Sequence, residues 1–228
     1  MMTDLQKRIK NVKKKVKNAA LQVNRNPDNI KILPVSKNQS PPKIRVFYEQ
    51  GFRFFGENRV QEVREKNEVL GDLELEWHFI GHLQRNKVKY ILRMENCQMI
   101  ESVDSQRLAR EINKRALKNR RVMPILVEVN VSGQESKFGI KPEKTLNFIK
   151  KTSPLEGIKV KGLMTLAPYS EDPEEARPYF KKLVQLKKQV NNAGFALSEL
   201  SMGMTNDYQV AIEEGATIVR VGTAIFGE

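Results

Sequence analysis

Lys37, Arg220 and two short glycine-containing stretches, Ser201-Met202-Gly203 and Gly222-Thr223, are the residues whose types and spacing could do chemistry. If Lys31–Val35 is a strand, side-chain alternation puts Leu33, Val35 and Lys37 on one face. A lysine enclosed by apolar neighbours has its charge disfavoured, and the freed amine is a nucleophile for a carbonyl. The plain alternative is a solvated lysine at a strand end. Arg220 shares a face with Ile218 and Gly222, opposite Val219 and Val221. A guanidinium in such a place needs a partner, either a ligand or a carboxylate such as Glu57 or Asp104. In the two stretches, glycine lets the backbone approach an anion closely, and the Ser201 and Thr223 hydroxyls donate hydrogen bonds. Together these groups suit a phosphorylated carbonyl compound. Pyridoxal 5′-phosphate meets each requirement, with Lys37 forming a Schiff base, the two stretches holding phosphate and Arg220 facing the ring nitrogen.

These residues do chemistry together only if a fold gathers them. The chain alternates apolar strand-like runs with helical ones. Strands are expected at Lys31–Val35, Phe52–Phe55, Trp77–Ile80, Gln98–Ser102, Pro124–Val131, Val160–Leu166, Leu197–Ser201 and Thr217–Val221. Helices are expected from Pro41 to Gly51, Asn58 to Leu70, Ser105 to Asn119, onward from Pro142, Pro173 to Asn192 and Thr205 to Glu214. Such alternation implies parallel pairing, and eight strands in 228 residues suggest a closed (β/α)8 TIM-type barrel in one domain. The sequence stops too soon after the eighth strand for another outer helix. A helix from Thr3 to about Val23 is expected to fill that place. The runner-up is an open doubly wound sheet, but no G-x-G-x-x-G follows the first strand. In a barrel, ligand chemistry collects at the C-terminal strand ends, where Lys37, Asn58, Ser201, Arg220 and Thr223 fall.

Composition narrows the classes. The chain is 39% hydrophobic and 29% charged, which excludes a disordered or fibrous protein. It has no long uncharged apolar run and no signal-like N-terminus, so a cytoplasmic protein without membrane contact is expected. The net charge of +13 invites nucleic-acid binding. However, the dense Lys7–Lys17 patch overlies an apolar stripe of Leu5, Ile9, Val12, Val16, Ala19 or Ala20, and Val23, so it reads as the solvated face of a helix. His78 and His82 are spaced like a helical metal pair but flank a strand end without a third ligand, and no metal is expected. Cys97 reads as a small core residue.

Along nearly its whole length the sequence resembles the pyridoxal phosphate homeostasis protein family. The matching blocks are VSK (35–37), FGENRVQE (55–62), WHFIGHLQRNK (77–87), SVDS (102–105), SKFG (136–139), GLMTL (162–166), LSMGMTND (200–207) and RVGTAIFG (220–227), in family order. The resemblance implies a barrel like the N-terminal domain of alanine racemase, of the fold-type III class, holding pyridoxal phosphate as an internal aldimine on Lys37. It implies that Ser201, the Met202 backbone, Gly222 and Thr223 contact phosphate, that Arg220 meets the ring nitrogen and that Asn58 and Met164 line the ring pocket. His82 would lie nearby, and Lys137 would be a second lysine near the mouth, able to accept cofactor during transfer.

The family is described as maintaining cofactor, amino-acid and keto-acid pools rather than catalysing a known turnover, so a carrier is expected, with apo-enzymes that use the cofactor as recipients. The related racemases carry a second, β-rich domain that supplies a tyrosine and a dimer interface. The sequence leaves no residues for one, which favours a monomer that is not an enzyme. The alternative is a single-domain racemase or decarboxylase, which needs an acid/base opposite Lys37, with Tyr208 or Tyr169 as candidates.

Overall fold

The computed structural model describes residues 2–227. Eight strands, β1 (Lys31–Pro34), β2 (Phe54–Glu57), β3 (Glu76–Phe79), β4 (Cys97–Val103), β5 (Met123–Glu128), β6 (Ile158–Met164), β7 (Glu199–Ser201) and β8 (Ile218–Val221), form one sheet in the order β1-β8-β7-β6-β5-β4-β3-β2. All neighbouring strands run parallel. The ends β1 and β2 meet through one parallel bridge, Val35–Gly56, and the Ser36 N–H donates to the Gly56 carbonyl at 3.0 Å. The result is a nearly closed TIM-type barrel, as the alternation predicts.

The helices are α1 (Asp4–Gln22), α2 (Pro41–Glu49), α3 (Val60–Val69), α4 (Val88–Ile91), α5 (Gln106–Lys118), α6 (Thr145–Thr152), α7 (Arg177–Asn192), α8 (Tyr208–Glu214) and α9 (Thr223–Phe226). Their starts follow from local chemistry. Thr3 and Gln6 form a reciprocal capping box before α1, and the Ser105 hydroxyl accepts the Leu108 N–H before α5. The short α4 and α9 carry no start signal that the sequence reading used. Within α1, Ile9, Val12, Val16, Ala19 and Ala20 are buried and the lysines from Lys7 to Lys17 are exposed. Val23, expected on the buried stripe, is exposed because the helix ends at Gln22. α1 packs against α8 and α9 beside the last strand, and Arg25, just beyond it, donates to the Ile212 and Ala216 carbonyls at 2.5 and 2.6 Å.

Two apolar layers result. Helices and strands share a large outer core around Trp77, Phe47, Phe55, Phe79 and Phe180. Inside the barrel Leu33, Met99, Leu126, Met164 and Ile218 form a separate plug. Above that plug the inward strand positions become polar, with His78, Glu101, Glu128, Ser201 and Arg220 all buried. Strand-end positions are fixed by close backbone contacts at glycines. A Cβ at Gly81 would lie 2.1 Å from the Asn58 carbonyl oxygen, and one at Gly162 would lie 2.0 Å from that of Glu199. Both contacts are with backbone, which cannot swing aside. Gly162→Ala is therefore expected to lower unfolding stability by at least about 2 kcal/mol through forced separation of β6 and β7. Urea unfolding measures this, and wild-type stability in the variant would contradict it.

Candidate functional site

The polar layer at the C-terminal end of the barrel is organised around Arg220, which is 3% exposed on β8. Its Nη1 donates to the Ser201 hydroxyl oxygen at 2.6 Å and its Nη2 to the Thr165 carbonyl at 2.7 Å. Ser201 in turn donates to Glu101 Oε2 at 2.5 Å, and the other Glu101 oxygen lies 2.6 Å from His78 Nδ1. Burial would push the Glu101 carboxyl upward, but the His78 hydrogen bond and the positive field of Arg220 hold it below the usual carboxylate range. Burial also lowers the guanidinium pKa of Arg220, against the opposing pull of Glu101, Glu128 and Asp207. The chain thus runs His78–Glu101–Ser201–Arg220 across four strands. Neither Glu57 nor Asp104 is the ion-pair partner of Arg220. Buried Glu57 pairs with Lys66, and Asp104 lies 3.4 Å from His82.

Over Arg220 opens a cavity of about 540 Å3, whose wall includes Arg220, Asn58, Gly222 and Thr223. These four of the expected site residues are brought together. The Asn58 side-chain Oδ1 is buried without a hydrogen-bond partner among the described residues. A buried amide oxygen left in that state is unfavourable and marks a place for a polar ligand group. The Thr205 hydroxyl, absent from the expected set, gathers Gly222 N–H, Ala224 N–H and the Thr223 hydroxyl, each at 3.3 Å. Asp207 accepts the Met204 N–H at 2.6 Å, which shapes the turn carrying Thr205.

The other expected residues sit differently. Lys37 is exposed and is not among the residues that line the cavity, although Val35 is. The strand stops at Pro34 and Asn38 turns with φ +58°, so alternation no longer governs position 37. Met164 belongs to the apolar plug beneath the cavity, not to the wall. Ser201 is fully buried, with its hydroxyl held by Glu101 and Arg220 rather than turned to the cavity. The Met202 N–H already donates to the Ile218 carbonyl at 3.1 Å. His82 stacks on Phe138 with ring centroids 3.9 Å apart, outside the main cavity wall. Lys137 lines an adjoining compartment. Among the described residues no group of three or more His, Cys, Asp or Glu forms a candidate metal site. Cys97 is buried, and burial pushes its thiol up to about 12.

Glu101, Glu128, Thr205 and Asp207 escaped the sequence reading. Only their strand-end positions could have signalled them. Glu128 is 6% exposed, and burial together with nearby Asp104 pushes its carboxyl from 4.5 to about 7, against the pull of Arg220. The folded chain therefore holds a proton that the unfolded chain has released between those values. The resulting stability is full below about pH 4.5 and is lost as pH rises through about 7. Glu128→Gln is expected to remove a loss on the order of 3 kcal/mol between about pH 5 and about pH 8. Urea unfolding at the two pH values checks this, and an unchanged pH dependence would contradict it.

Comparisons with known proteins agree with the barrel fold. The family model described as "Alanine racemase, N-terminal domain" matches residues 8–228. A protein of Aquifex aeolicus named "Pyridoxal phosphate homeostasis protein" is 49% identical over 222 residues, covering 97% of this chain and 96% of its own. PipY of Synechococcus elongatus, solved with PLP bound, is 33% identical with a TM-score of 0.81, covering 93% of this chain and 100% of its own. An alanine racemase of Clostridium difficile shares the fold at 16% identity and a TM-score of 0.76. The alignment covers 99% of this chain and 56% of that one.

Proposed function

The chain belongs to the pyridoxal phosphate homeostasis protein family, and on that premise we propose that it holds pyridoxal 5′-phosphate in the cavity over Arg220 and releases it without substrate turnover. The observation that carries this reading is that one cavity is lined by both the buried Arg220 and Asn58, whose amide oxygen has no partner among the described residues. A flat heteroaromatic ring with polar edges and a phosphate complements both, and Val35, Ile80 and Leu166 give the wall apolar surface for its faces. The bound cofactor supplies an aldehyde that a primary amine captures reversibly.

Each residue then has a part in binding. Arg220, positively charged and fixed from below, opposes protonation of a ring nitrogen placed beside it. Gly222, Thr223 and Thr205 line the cavity together, and a bound phosphate would take the place of the Thr205 hydroxyl as acceptor for the Gly222 N–H and the Thr223 hydroxyl. Ser201 contributes by fixing Arg220, and Met202 by joining β7 to β8. Lys37 is the covalent anchor. It lies at the mouth, two residues beyond Val35 of the wall, within the VSK block. An exposed anchor at an open mouth suits transfer, because water and an incoming amine both reach it.

The relatives are named as homeostasis proteins rather than as enzymes. Of the acid/base candidates of the racemase or decarboxylase reading, Tyr208 is 3% exposed within the outer core, whereas Tyr169, 82% exposed, lines the cavity and is the one that reading would use. A cytoplasmic, monomeric, single-domain carrier that delivers cofactor to apo-enzymes completes the reading. It draws on the single sheet, and on the lack of any described helix long and apolar enough to cross a membrane.

Absorption spectra before and after borohydride, followed by peptide mass mapping, test the assignment. The expected result is a near-visible band that reduction removes, with the adduct on Lys37 and none in Lys37→Ala. No band after adding pyridoxal phosphate would overturn the cofactor, and an adduct on another lysine would overturn the anchor.

A further inference from the structure

Beside the main cavity lies a second compartment of about 160 Å3, separated from it by Leu166, which lines both. Its wall holds one acid and one amine, Glu128 and Lys137, among Val129, Phe138 and Leu166. Glu128 is 94% buried by its 6% exposure, yet its carboxyl makes no hydrogen bond or ion pair among the described residues. Its carboxylate oxygens are not sealed off, Asn58 Oδ1 being the buried unpartnered side-chain atom among the described residues, so a ligand group in the compartment that Glu128 lines can reach them. Lys137 lines the same space, lies outside ion-pair distance of Glu128 and donates to the Leu166 carbonyl at 3.3 Å.

The compartment is built rather than incidental. The Asn130 amide donates to the Gln134 and Lys137 carbonyls at 2.8 and 3.1 Å, and its oxygen accepts the Gly133 N–H at 2.9 Å. The loop closes through Ile140 N–H to the Glu128 carbonyl at 2.7 Å and Asn130 N–H to the Ile140 carbonyl at 2.9 Å. Phe138 is braced by the stacked His82 ring. An acid and an amine lining one small space with much apolar surface are the complement of a zwitterion. We propose that this compartment binds a small free α-amino acid, its ammonium on Glu128 and its carboxylate on Lys137.

Charge supports the assignment. Asp104 and Arg220 are the charged groups that act on Glu128 from the neighbouring strand ends, and they act in opposite senses. Glu128 holds its proton to about pH 7, so an arriving ammonium replaces that proton as the compensating charge. The volume equals about five waters at roughly 30 Å3 each, which admits a side chain near the size of alanine's. If the cavity over Arg220 holds cofactor as proposed above, the amino acid sits one residue away from it, placing both pools on one protein.

The test uses the full chain with cofactor removed, so its outcome is independent of the cofactor reading. Calorimetric titration compares L-alanine with propionate, which lacks the ammonium, and with alaninamide, which lacks the carboxylate. The expected result is that alanine binds about tenfold or more tightly than either, as fits one charge-assisted contact at each end. Glu128→Gln should lose the preference over propionate, and Lys137→Met the preference over alaninamide. Should either variant fail to fold, the three-ligand comparison on the wild type decides alone. Absent alanine binding, or equal binding of alanine and propionate, would overturn the proposal.

Discussion

A guanidinium inside an eight-stranded barrel is tolerable only if its charge and its donors are met, and much of the upper half of this molecule serves that need. Arg220 is joined through Ser201 to Glu101 and through Glu101 to His78, while Thr165 offers its carbonyl. Removing any one member leaves a buried charge or donor without its partner. The network also ties β8 to β7, β4 and β3 across the interior, where the β7–β8 pairing is one residue pair long. The polar floor of the cavity is thus also a brace between strands.

Two consequences follow for binding. First, the arginine is pre-organised, because its orientation is set from below before any ligand arrives, and little ordering remains to oppose association. Second, Asn58, whose Oδ1 is buried without a partner among the described residues, lines the same cavity, so a polar ligand group there would relieve that burial. Lys37 stands apart from this rigid floor, on a turn at the mouth. With Lys37 as the proposed anchor, a fixed floor beneath an exposed lysine suits reversible loading better than enclosed chemistry.

The architecture was largely legible in the sequence, because parallel strands buried on both faces read as apolar runs between helices with recognisable caps. Arg220 was legible too, since Ile218 and Gly222 flank it at the same strand parity and the inward plug contains Ile218. Parity does not reach Lys37, because β1 ends at Pro34 and a turn through Asn38 follows. At Ser201, the last residue of β7, and at Met202 just beyond it, a sequence does not show that one hydroxyl is held by Glu101 and one N–H by the Ile218 carbonyl. Glu101 and Glu128 look like ordinary charged strand residues until the barrel closes around them. Their roles come from long-range burial, which leaves no local mark.

The central claim is that Arg220, fixed by Ser201 and Thr165, faces the ring nitrogen of the cofactor. The most direct measurement is the nitrogen-15 chemical shift of ring-labelled pyridoxal phosphate bound to the protein. The account predicts an unprotonated ring nitrogen in the wild type across the neutral pH range, and a raised ring-nitrogen pKa in Arg220→Gln. A protonated nitrogen in the wild type, or a shift unaffected by the substitution, would contradict it.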